Sequence, residues 1–164
     1  MIDIPPGTRT ILIDGRSGSG KTTLANNLGA ELGWRVVHLD DFYPGWFGLV
    51  AGARMVARDV LHPTSPGFWR WDWRADQPGE WVPLDPAAPL IVEGVGAYTL
   101  ESWNAASRRG GVFTIRLECP LNVRKERALS RDPEFAAWWD VWAQQELTLL
   151  DKELPADLTL HCDC

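Results

Sequence analysis

Eight residues near the N-terminus carry the most specific chemistry in the chain. Gly15-Arg-Ser-Gly-Ser-Gly-Lys-Thr22 places glycine, glycine, lysine and threonine at the spacing G-x-x-x-x-G-K-[ST]. Glycines spaced this way let successive backbone N–H groups turn inward around an anion. A helix that starts where the loop ends directs its N-terminal partial positive charge at the same point. Lys21 would then reach the β- and γ-phosphates of ATP, and the Thr22 hydroxyl would meet Mg2+. Gly15, Ser17, Gly18, Ser19, Gly20, Lys21, Thr22 and the adjacent Thr23 are the candidate nucleotide-binding residues. The motif points to a nucleoside triphosphate and leaves any acceptor open.

Two acids follow short apolar runs, Asp40 in His38-Leu-Asp-Asp-Phe-Tyr43 and Glu93 in Leu90-Ile-Val-Glu-Gly94. In open parallel sheets, ligands bind outside the carboxyl ends of the strands. Transfer of a phosphoryl group to a hydroxyl needs one carboxylate beside the attacking oxygen and another acid near the metal. Asp40 fits the first role and Glu93, with Thr22, the second. Each also has a plainer reading, Asp40 as a turn or helix cap and Glu93 as a strand end.

Arg124, Arg127 and Arg131 lie at i, i+3 and i+7, so a helix would show them on one face. They are either a solvated basic face or a lid over the triphosphate, where guanidinium groups stabilise the charge spread over the transferred oxygens. In Phe68-Trp-Arg-Trp-Asp-Trp73, an extended chain would put Trp69, Trp71 and Trp73 on one face and Arg70 and Asp72 on the other. Such an aromatic wall suits a base or sugar, or patches a small core. Arg70, Asp72, Tyr43 and Asp40 are the candidate acceptor contacts.

The elements that must position these groups read as alternating strands and helices. Thr10 to Asp14, Arg35 to Leu39, Pro89 to Glu93, Val112 to Leu117 and Leu158 to Leu160 are predicted strands. Lys21 to Leu32 is a predicted helix, with Leu24, Leu28 and Leu32 at helical spacing and Gly33 as its stop. Further helices are expected over Tyr98 to Arg109, Asn122 to Arg131 and, as one long element, Pro133 to Glu153. The long one carries an apolar stripe of Phe135, Trp138, Trp139, Trp142, Leu149 and Leu150. Gln145 and Glu146 interrupt that stripe, either because the helix is half-buried there or because the two face the site. The pattern predicts an α/β protein, a three-layer fold with a five-stranded, mostly parallel sheet flanked by helices. Residues 1–164 form one domain, with 42–88 a substrate-facing insertion, helical only over Val50 to Leu61, and 122–133 a lid.

Taken together, the phosphate loop, Leu39-Asp-Asp-Phe-Tyr43 and Val92-Glu-Gly94 resemble the uridine kinase, nicotinamide riboside kinase and phosphoribulokinase group of P-loop kinases, from Ile11 to about Asp132. The resemblance implies that Asp40 contacts the substrate hydroxyl as the base and that Glu93 lies near the metal. It also implies that arginines of the Arg124 to Asp132 run contact phosphates, and that a segment such as the one holding Asp72 faces the substrate's sugar or base. The implied activity is ATP-dependent phosphorylation of a nucleoside or nucleoside monophosphate. The resembling kinases carry more chain after the last strand, so a minimal adenine grip is expected.

Composition narrows the alternatives. A formal net charge of -6 leaves no basic excess for nucleic acid. No apolar run approaches ~18 residues and no signal pattern opens the chain, so a cytoplasmic protein without membrane contact is expected. Three cysteines, Cys119, Cys162 and Cys164, argue against a disulfide framework. No N-K-x-D motif suggests a regulatory GTPase. The remaining rivals are a kinase of a sugar acid or other metabolite, a nucleotide-binding regulator without transfer, and an ATPase coupled to motion. A monophosphate acceptor would need extra cations near Asp40, for which Arg54, Arg58 and Arg70 are candidates.

Overall fold

Apolar runs bounded by glycines and acids become the strands of a parallel sheet. The computed structural model describes residues 1–150 and 152–162; the Leu150 side chain and Cys164, both named above, lie outside the described residues. In chain order the elements are β1 (Thr8–Gly15), α1 (Lys21–Leu32), β2 (Arg35–His38), α2 (Leu49–Met55), β3 (Gly67–Asp72), β4 (Gln77–Pro83), β5 (Leu90–Glu93), α3 (Leu100–Ser107), β6 (Gly111–Glu118), α4 (Leu121–Arg131), α5 (Trp139–Leu150) and β7 (Leu158–His161). Five parallel strands lie in the order β2-β5-β1-β6-β7.

The side-chain alternation of β1 divides the interior in two. Ile11 and Ile13 face α1 and share a core with Ala25, Leu28, Ile91 and Ile115. Leu12 faces the opposite side, where Val92, Leu49 of α2, Ala106 of α3 and Trp139 of α5 make a larger core. A strand buried on both faces reads as a near-continuous apolar run, which is how β1 and β5 were visible in the sequence. Helix α1 ends at Gly33 in the left-handed conformation, as its glycine predicts. Among the described residues, no helix is long and apolar enough to cross a membrane.

Four expectations need correction. The long helix over Pro133 to Glu153 is two pieces, a 3-10 turn at Pro133–Ala137 and then α5. Asp132 caps the turn by accepting the Glu134 N–H, and Pro133 opens it. The turn's Phe135 packs on Trp46 and Trp139, with ring centroids 5.1 and 5.3 Å away, so aromatic packing continues across the break.

Segment 42–88 holds more structure than its helix. After α2 and a π turn at Val56–Val60, β3 and β4 pair as an antiparallel hairpin separate from the main sheet. A register shift between Trp69 and Trp71 ends the expected one-faced tryptophan row. Trp69 is 52% exposed and packs edge-on against Trp81, while Trp73 lies beyond the strand. Finally, Cys119 and Cys162 are joined as a disulfide across the ends of β6 and β7, their Cα atoms 5.2 Å apart.

The polar interruption of α5 has a structural purpose. Gln145 accepts the Leu49 N–H (3.2 Å) and donates to the Trp46 carbonyl (2.6 Å), so it caps α2, which has no side-chain cap of its own. Gln145→Ala leaves both backbone groups without this partner, at about 2 kcal/mol. Urea denaturation should show a loss of that size, whereas an unchanged midpoint would mean that water replaces both bonds.

Candidate active site

The phosphate loop joins β1 to α1, and its glycines are set by geometry. Gly18 has φ 82°, and a Cβ there would fall 2.1–2.9 Å from backbone atoms of Arg124. No side chain fits that contact, so Gly18 is where α4 closes on the loop. Gly15 (φ 151°) and Gly20 (φ 96°) make the bends at either end. Ser17, Ser19 and Lys21 are buried, and the Lys21 ammonium donates to the Arg16 carbonyl (3.0 Å) and to Ser19 Oγ (3.4 Å). Thr23 is exposed on the first turn of α1.

Strand register brings the first acid to the loop. Glu93 pairs across the sheet with Ile13 on one side and His38 on the other. Its carboxylate is 2% exposed; Oε1 accepts the Thr22 hydroxyl (3.1 Å) and lies 2.6 Å from His38 Nδ1. The hydrogen bond to Glu93, more than any other factor, raises the His38 pKa. Among the described residues, no three His, Cys, Asp or Glu side chains group as a metal cage. Thr22 and Glu93 instead offer two adjacent oxygens, hard donors of the kind that could hold Mg2+ together with phosphates and water.

Asp40 sits in the 3-10 turn Leu39–Asp41 directly after β2. It opens onto a cavity of 320 Å³ shared with Lys21, Thr22, Glu93 and Arg131. Asp40 keeps an exposed surface at the cavity mouth, yet partial desolvation by the protein around it, and then the like charge of Glu93, raise its carboxyl pKa, against the pull of Lys21 and Arg131. Trp73 donates its indole N–H to the Asp40 carbonyl (2.9 Å), which ties the hairpin to this turn. Trp46, Trp142 and Phe135 complete an aromatic wall.

The remaining candidates divide. Tyr43 lines the cavity but is fully buried, and its hydroxyl donates to the Val95 carbonyl (2.6 Å). Arg70 lies outside, near Asp41 (3.5 Å) and Glu80 (3.7 Å), and Asp72 is spent capping its own turn through the Arg74 and Ala75 N–H groups. The three arginines of α4 do not act as one face. Arg131 reaches the cavity, whereas Arg127 is exposed and donates to Cys119 Sγ at 3.8 Å. Arg124 is 4% exposed and binds the carbonyls of Cys119 (3.0 Å) and Ser17 (3.3 Å), which places it behind the loop as a brace.

Sequence reasoning missed His38, Trp46 and Trp142. His38 could have been found by applying the strand-end rule one step before Asp40. Trp46 and Trp142 carried no signal that separates a pocket wall from a core.

No protein-family model matches the chain, and no curated protein matches it. Solved structures do. A protein from Silicibacter sp. TM1040, provisionally assigned as a fructose transport system kinase, is 22% identical with a TM-score of 0.64, over 98% of this chain and 93% of that one. A provisionally assigned uridine kinase from Bacillus stearothermophilus is 21% identical with a TM-score of 0.56, over 96% and 91%. The Mycobacterium tuberculosis APS kinase CysC, in complex with AMPPNP and APS, is 19% identical with a TM-score of 0.53, over 98% and 91%. The fold is that of the P-loop kinases. The named activities differ among these P-loop kinases, so the fold leaves the acceptor open.

The Gly18 contact gives a direct test of the loop. Gly18→Ala forces α4 and the loop apart, and nucleotide affinity should fall at least tenfold by fluorescent ATP-analogue titration, with the thermal midpoint lowered as well. Unchanged affinity would show that α4 yields without disturbing the loop.

Proposed function

We propose that this chain is an ATP-dependent small-molecule kinase whose acceptor is an uncharged hydroxyl compound, with a nucleoside as the first candidate. The observation that carries the reading is the placement of Asp40 in one cavity with Lys21, Thr22 and Glu93. A protein that only binds nucleotide has no need of a carboxylate held opposite the phosphate loop.

In this reading Lys21 and the loop N–H groups hold the triphosphate, and Thr22 and Glu93 would hold Mg2+, which would supply charge neutralisation to the phosphates. Asp40 orients the acceptor hydroxyl and takes its proton as the oxygen bonds to the γ-phosphorus. The bond to the bridging β–γ oxygen breaks, and ADP leaves. Arg131 stands where it can meet charge on the transferred oxygens, as the motif of a closing lid (122–133) requires.

The charge of the cavity supports an uncharged acceptor. Its walls carry four acids, Asp40, Glu93, Asp132 and Glu134, against two cations, Lys21 and Arg131. Arg54, Arg58 and Arg70, the cations expected to serve an acceptor phosphate, do not line it: Arg58 is paired with Asp59, Arg70 lies by Asp41 and Glu80, and Arg54 faces other cavities. A nucleoside monophosphate or a sugar acid could draw only on Arg131. The tryptophan wall suits the flat face of a base or the C–H face of a sugar.

The test is ADP release from Mg-ATP over a panel of nucleosides, neutral sugars, nucleoside monophosphates and sugar acids. Turnover is expected with uncharged acceptors, with losses of about 10²–10⁴-fold in Asp40→Asn and near-complete loss in Lys21→Ala. ATP binding without acceptor-stimulated turnover anywhere in the panel would favour the nucleotide-binding regulator.

A pH profile tests Asp40 separately. The base works when ionised, and its pKa is raised, so activity should fade as pH drops through a value above the ~3.9 of a free aspartate. That acid limb in kcat/KM for the acceptor should disappear in Asp40→Asn; a limb unchanged in the variant would assign it to another group.

A further inference from the structure

A second cavity of 740 Å³ adjoins the start of the phosphate loop, and Asp40 does not line it. Asp14 comes from the end of β1 and Arg16 from the loop, Ala53 comes from α2, Leu149 and Glu146 come from α5, and Leu154 from the segment before β7. Among the described residues, Val95 alone lines both this cavity and the catalytic one. Its volume is within the range of small-molecule sites, ~300–1,000 Å³.

One group in its wall is unspent. Glu146 is 4% exposed, and its Oε2 is buried with no hydrogen-bond partner among the described residues. Buried carboxylate oxygens are nearly always paired, because desolvation without a partner is costly. The other polar groups nearby are mostly committed. Asp14 accepts the N–H groups of Gly15 (2.7 Å), Gly96 (3.2 Å) and Tyr98 (2.9 Å). Arg116 is bound to Glu153 (2.6 Å) and to the Leu154 carbonyl, and Arg124 to the carbonyls of Cys119 and Ser17. The unmet demand is therefore for a donor directed at Glu146, flanked by the apolar surface of Ala53, Val95 and Leu149.

We propose that this cavity is a ligand site, distinct from the catalytic cavity, for a small organic monoammonium ion: its nitrogen donates to Glu146 Oε2 and its apolar body rests on Ala53, Val95 and Leu149. Half-buried Arg16 and exposed Arg54 and Lys152 also line the cavity and disfavour polyamines. Occupancy bears on the loop by a short path, because the cavity that Glu146 lines is also lined by Gly15 and Arg16 of the loop and by Arg124, which holds the Ser17 carbonyl. The site stands whether or not the chain transfers phosphate.

The probe is benzylamine, titrated into the 15N-labelled protein and followed by amide NMR, with benzyl alcohol as the uncharged isostere. Saturable shifts are expected at Val95, Gly96 and Leu149. Affinity for benzylamine should be at least tenfold weaker in Glu146→Gln and abolished in Leu149→Trp, which fills the space and leaves the carboxylate in place. Benzyl alcohol should bind at least tenfold more weakly than benzylamine. Circular dichroism establishes folding, and if Glu146→Gln does not fold, Leu149→Trp and the alcohol decide. Shifts that do not saturate, affinity unchanged in a folded variant, or equal binding of the alcohol would overturn the proposal.

Discussion

Ile13, Glu93 and His38 lie side by side across three parallel strands, and the rest of the site depends on that register. It ends β5 and β2 at one level, with β1 running on two residues to Gly15. The loop after β1, the acid closing β5 and the acid turn after β2 therefore open onto one crevice. A slip of one residue in β5 would turn Glu93 to the other face and put Val92 in its place, since strand side chains alternate. The register is held by burial on both faces: Ile91 packs with the α1 core and Val92 with the opposite one, so neither can exchange places with Glu93 without leaving a carboxylate among aliphatic groups.

The same crowding sets the electrostatics. Two carboxylates, Asp40 and Glu93, feel one another across the cleft, and the protein treats them differently. Glu93 is given partners, the Thr22 hydroxyl and the His38 ring, and His38 responds by holding its proton more tightly. Asp40 has no side-chain partner of that kind. Exposed at the mouth of the cavity, it has its pKa raised by partial desolvation and then by the repulsion of Glu93, offset by Lys21 and Arg131. A partnered acid is suited to a fixed charge and an unpartnered one to exchanging a proton, which is the division of labour phosphoryl transfer needs.

What the sequence made legible was local. Gly15 to Thr22, the strands before Gly15 and Gly94, and the leucine spacing of α1 with its Gly33 stop all follow from chemistry within a few residues, and each appears where expected. What it hid was decided by partners far along the chain. The roles of Arg124 and Arg131 differ because α4 sits on Gly18, which turns one arginine toward the loop's carbonyls and leaves the other at the cavity. Cys119 and Cys162 meet because β6 and β7 are neighbours, a pairing that no spacing of three cysteines could reveal. The hairpin escaped notice because Pro78 and Gly79 lie within β4, residues that a two-stranded, edge-only sheet tolerates and a central strand does not.

Helix α5 shows why its polar interruption belongs to the fold's logic. Trp142 faces the catalytic cavity and meets Tyr43 edge-on at 4.7 Å. One turn later Gln145 fastens the start of α2, and Glu146 lines one cavity with Gly15 and Arg16 of the phosphate loop. Consecutive faces of one helix thus bear on the aromatic wall, the segment carrying Trp46 and the cavity beside the loop. The apolar stripe alone would hold α5 against the core but not its axial position, because apolar contacts are non-directional. Directional bonds at Gln145 remove that freedom. They link the aromatic wall to the cavity beside the loop, so displacement of α5 along its axis would disturb both together.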